Sequence, residues 1–64
     1  MNRKAKFFQI YANLPLSLRK EIIVVINDEP ITWNVANIEI ETNTKIGEKI
    51  LNKLIDMEII KTNE

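Results

Sequence analysis

The sequence predicts a small all-α domain, and three patterns carry that expectation. The clearest runs from Thr44 to Ile60. At about 100° per residue, Ile46, Ile50, Leu54 and Met57 form one row, Leu51 and Ile55 widen the apolar arc, and Lys45, Lys49 and Lys53 line the other side at i, i+4 and i+8. A second pattern places Phe7, Tyr11 and Leu14 at i, i+4 and i+7, with Phe8 and Ala12 beside them, in a short helix that ends before Pro15. The third is the row Trp33, Ala36 and Ile40 in the middle of the chain.

Between the outer helices, Ser17 is a plausible N-cap for a helix whose face carries Leu18, Ile22, Val25 and Ile26. Asn27-Asp28-Glu29-Pro30 then forms a turn. Read as a helix, the next segment has two apolar faces, Trp33/Ala36/Ile40 and Ile31/Val35/Ile38, and must be sandwiched or lie at a subunit contact. The same residues keep an α+β alternative open. Glu21 to Ile26 is a β-branched run, and Ile31, Trp33 and Val35 alternate, with Ile38 and Ile40 in the opposite phase. A hairpin over 21–41, packed on the C-terminal helix, would need a bulge near Ala36 and Asn37. Thr42-Asn43-Thr44 supplies caps for the final helix, where Gly47 costs about 1 kcal/mol relative to alanine. That cost predicts either close backbone packing or a tolerated first-turn residue.

Residues 1–64 make a single small domain, and a chain of this length buries only about 60% of the surface that it exposes when unfolded. With no cysteine or histidine, a disulfide or an ordinary structural zinc site is excluded, and no cofactor or metal is expected. Twelve isoleucines supply packing, and dimerisation would supply further burial. Nine basic and nine acidic residues cancel, so electrostatic binding must come from a local patch. No apolar run approaches the roughly 20 residues of a membrane span, and Met-Asn-Arg-Lys-Ala-Lys leads into no secretory apolar region. The expected location is cytoplasmic.

From Leu18 to Lys61 the order of elements resembles a helix-turn-helix core of the winged-helix type. A helix at 18–26 leads to Pro30-Ile31-Thr32, then a short helix with Trp33, Ala36 and Ile40 inward and a polar turn at Thr42 to Thr44. A second helix with Leu51 and Leu54 inward follows, and Met57-Glu58-Ile59-Ile60 leads out. Three positions depart from the pattern. Asn37 stands where a small apolar residue is usual, Glu58 replaces a common glycine, and only Lys61 to Glu64 follow where a wing would be, so a wingless or truncated version is implied. The resemblance implies a helix-turn-helix-like fold that binds double-stranded DNA, with a regulatory role. Its second helix would lie in the major groove, with Thr44, Lys45, Lys49, Asn52 and Lys53 as nucleic-acid contacts. The lysines would anchor phosphates and Asn52 could read adenine in a bidentate way. The plainer account is a solvated helix whose Lys45 and Lys53 pair with Glu48 and Asp56, three residues on.

Other chemistry has less to stand on. Trp33 reads as the centre of the core before it reads as a binding anchor, and Phe7, Phe8 and Tyr11 as packing before base stacking. Arg3, Lys4 and Lys6 form either a phosphate-contacting arm or a frayed terminus. With no histidine base, no thiol and one glycine, neither nucleophilic catalysis nor a phosphate loop is expected, so the chain is not read as an enzyme. The alternative function is a non-catalytic interaction or assembly module in which aliphatic surfaces around Val24, Val35 and Ile38 meet a protein partner or a second copy.

Overall fold

A computed structural model describes residues 2–61 as three helices and one antiparallel hairpin. Helix α1 spans Arg3–Ala12, and a 3₁₀ turn spans Leu16–Lys20. Strands β1, Ile22–Ile26, and β2, Glu29–Thr32, follow, then helices α2, Trp33–Glu41, and α3, Lys45–Asp56. The fold is therefore mixed α/β, which overturns the all-α expectation. The hairpin of the alternative is present, but it covers 22–32 instead of 21–41, and the remainder of that range is helical. Whether a wing strand follows Ile60 falls on residues 62–64, outside the described residues.

Local chemistry explains why the helix expected at 18–26 gives way to a strand. All five residues of β1 are β-branched, and such side chains lose χ1 freedom in a helix but fit a pleated surface. Asn27 and Asp28 both adopt positive φ, 52° and 69°, as a two-residue type I′ hairpin loop requires. Pairing of Ile26 with Glu29 closes that loop, so Val25 and Pro30 form the next, non-hydrogen-bonded pair and Pro30 removes no ladder bond. Ile22 pairs with Thr32 and Val24 with Ile31, which leaves Ile23 as a bulge. The bulge expected near Ala36 lies here instead. Ser17 caps no helix, because the turn it belongs to starts after Pro15 without a side-chain cap.

The core joins the three helices and both strands. Phe7, Val24, Ile26, Ile31, Ala36, Ile40, Ile50, Leu51, Leu54 and Ile60 are buried, and no polar or charged side chain among the described residues is buried with them. Phe7, not Trp33, is the central aromatic. The half-buried Trp33 stacks on it at 5.8 Å, and Tyr11 stacks from the other turn of α1 at 6.1 Å. Tyr11 Oη donates to Asn34 Oδ1 at 2.7 Å, tying α1 to α2, while Arg19 lies 4.4 Å over the Tyr11 ring and donates to its carbonyl. Met57, expected in the inward row of α3, is exposed because the helix ends there.

Both later helices close in the same way. After α2, Asn43 takes a φ of 59°, its N–H donates to the Ile40 carbonyl, and the Thr44 N–H donates to the Glu39 carbonyl. After α3, Glu58 takes a φ of 61°, its N–H donates to the Ile55 carbonyl, and the Ile59 N–H donates to the Leu54 carbonyl. These are Schellman motifs, and the second returns the chain so that Ile60 seals the core. Asparagine tolerates the left-handed conformation, whereas glutamate pays for its Cβ. Glu58→Gly is therefore expected to raise stability by about 0.5–1 kcal/mol and Asn43→Gly by less, both measurable by urea unfolding.

Gly47 faces the opposite demand. A Cβ built on it would lie 2.4 Å from the Glu39 carbonyl oxygen and 2.9 Å from the Ile40 nitrogen, so the backbones of α2 and α3 meet where a side chain has no room. Of the two readings of this glycine, close packing is the one observed. Gly47→Ala should destabilise by about 1–3 kcal/mol despite alanine's better helix propensity, lowering Tm by roughly 4–8 °C per kcal/mol. An unchanged Tm would refute the contact.

Candidate nucleic-acid interface

The candidate contacts lie on α3 and at its start. Thr44 is the N-cap: its Oγ1 accepts the Gly47 N–H at 3.0 Å and donates to Glu39 Oε1 at 2.5 Å. Because its amide also bonds the Glu39 carbonyl, this one residue both ends α2 and begins α3. Its hydroxyl is fully engaged. Thr44 therefore positions the helix and has little left to offer a phosphate.

Lys45, Lys49, Asn52 and Lys53 are all exposed, on the side of α3 opposite Gly47, Ile50, Leu51 and Leu54. The structure thus brings the three lysines to one face. The expected pairing with acids on the same helix is not formed: Glu48 instead meets Arg3 of α1 at 3.6 Å, and Lys45, Lys49 and Lys53 have no carboxylate within 4.0 Å among the described residues. In the free chain the Asn52 Oδ1 accepts a hydrogen bond from Arg3, so Asn52 must exchange that partner before its amide can read a base.

Of the basic residues at the start of the chain, Arg3 and Lys4 form neither a free arm nor a frayed end. They sit in the first turn of a capped helix, where Asn2 Oδ1 accepts the Ala5 N–H at 2.8 Å. Lys4 Nζ donates to Asn43 Oδ1 at 2.6 Å, in the turn before α3. Arg3, Lys4, Thr44 and Lys45 line a cleft of about 310 Å³ between the starts of α1 and α3. A second cleft, of about 440 Å³, runs from the hairpin tip at Asn27 and Asp28 to Lys49, Lys53 and Asp56. The linings of the two clefts together hold five cations (Arg3, Lys4, Lys45, Lys49, Lys53) and three acids (Asp28, Glu48, Asp56) on a chain of zero net charge. No spacing in the sequence pairs Arg3 with a residue 49 positions away, so this part of the surface was not legible beforehand.

Removing the Thr44 hydroxyl should cost more than its exposure implies. Thr44→Val is expected to lose about 1–2 kcal/mol, the usual worth of an N-cap, while Thr44→Ser retains nearly all of it; thermal melts of the two variants check this.

No protein-family model matches the chain, and neither a curated protein nor a solved structure shows significant similarity to it.

Proposed function

We propose that the protein is a small, non-catalytic DNA-binding domain of helix-turn-helix type that grips duplex phosphates with the lysine face of α3. The observation that carries this reading is the set Lys45, Lys49 and Lys53, aligned on one exposed face and free of carboxylate partners among the described residues. Glu48 and Asp56 stand three residues after Lys45 and Lys53, a spacing that favours ion pairs on a helix, yet neither pair is formed. Here Arg3 draws Glu48 away, and Arg3 and Lys4 add cations beside the first turn. The three-residue turn and the Gly47 contact hold α3 against α2, so the lysines stand on a rigid support. The reading carries with it a regulatory role and a cytoplasmic location. Among the described residues no helix is long and apolar enough to cross a membrane.

Affinity in this scheme is phosphate-led, and it must fall steeply with salt, by about 0.9 log unit per tenfold salt for each phosphate neutralised. Fluorescence anisotropy on mixed-sequence duplexes should show binding at low salt. Each Lys→Ala change at 45, 49 or 53 should weaken it on all sequences alike and lower the salt slope by about one unit. Asn52→Ala should alter sequence preference more than overall affinity, since lysines anchor phosphates while an amide can read a base. Absence of binding at low salt, or full binding by the triple lysine variant, would refute the proposal.

A further inference from the structure

On the side of α2 away from the core the apolar surface is uncovered. Ala36 and Ile40 point inward, whereas Ile38 is 56% and Val35 39% exposed, one helical turn apart. The 3₁₀ turn packs beside α2 and adds Leu16 and Leu18, and Ile22 follows at the start of β1, where the Trp33 N–H bonds the Glu21 carbonyl at 3.2 Å. Val24, expected to share this surface, does not: it is 6% exposed and belongs to the core.

Charge marks the two ends of the strip differently. That backbone bond places Lys20 near the N-terminal end of α2, where Arg19 and Lys20 outnumber Glu21. The C-terminal end carries Glu39 and Glu41, and Glu41 is exposed. A surface with an apolar middle, a basic end and an acidic end is complementary to itself when rotated by 180°. We propose that a second copy of the chain covers it, the two α2 helices running antiparallel about a two-fold axis, with Val35 and Ile38 meeting Ile38 and Val35 of the other copy and Lys20 facing the other copy's Glu41. The dimer does not depend on DNA binding.

The test combines one disruptive variant with a charge exchange. Sedimentation velocity from micromolar to millimolar concentration should show a monomer–dimer equilibrium. Ile38→Asp should raise the dimer Kd by at least about 30-fold, the scale of a lost interface hot spot, with an unchanged circular dichroism spectrum because Ile38 makes no part of the core. Lys20→Glu alone and Glu41→Lys alone should each weaken the dimer, by about 5–10-fold, through like charges brought together twice per interface. Lys20→Glu combined with Glu41→Lys should restore it. The proposal is overturned by a monomer at every concentration, by a dimer that Ile38→Asp leaves intact, or by a double exchange no better than the single changes.

Discussion

The structure depends on one close approach, that of Gly47 in α3 to the Glu39 carbonyl in α2. Helices usually meet through side chains with axes 8–10 Å apart, and a missing Cβ lets these two come nearer. Thr44 completes the joint by ending one helix and capping the next with the same hydroxyl and amide. Two consequences follow. The turn cannot lengthen or swing without losing bonds at both helix ends, and the inward faces of α2 and α3 are locked in register, so Ile40 sits among Ile50, Leu51 and Leu54. The orientation of every exposed lysine on α3 descends from that joint.

The same joint shows how far the sequence could be read. Gly47 stands out as a costly residue within a clear helix, and that cost raises the backbone contact that is observed beside the alternative of a tolerated first-turn residue. The amphipathic faces of α1 and α3 were legible because their period is long and unambiguous. The segment from Ile22 to Thr32 was not, since five β-branched residues in a row have no period that separates a helix from a strand. The deciding signal was Asn27-Asp28, two residues that both tolerate positive φ, placed between apolar runs. Reading them as a generic turn allowed a helical pair; reading them as a two-residue loop would have demanded a hairpin. At the candidate interface, the lysine row followed from spacing within one helix. The links from Arg3 to Asn52 and from Lys4 to Asn43 join opposite ends of the chain and left no trace in local pattern.

Zero net charge conceals a division of labour over the surface. Cations gather where α1 and α3 begin, while the outward face of α2 is apolar between a basic and an acidic end. A chain of this size has one core and little surface to spare, so separating a charged face from an apolar one is a strong constraint on where each residue type can go. The pairing of Glu48 with Arg3 serves that separation by engaging one of the two acids of α3, Glu48, on the α1 side.

Pro30 gives the hairpin an asymmetry that bears on aggregation. At a non-hydrogen-bonded pair its nitrogen faces away from β1, so the outer edge of β2 lacks a donor at the position where a further strand would bind. Beta-sheet fibres grow by adding strands at both edges. With that edge blunted in this way, addition of strands to β2, and with it the growth of a fibre through both edges of this sheet, is disfavoured.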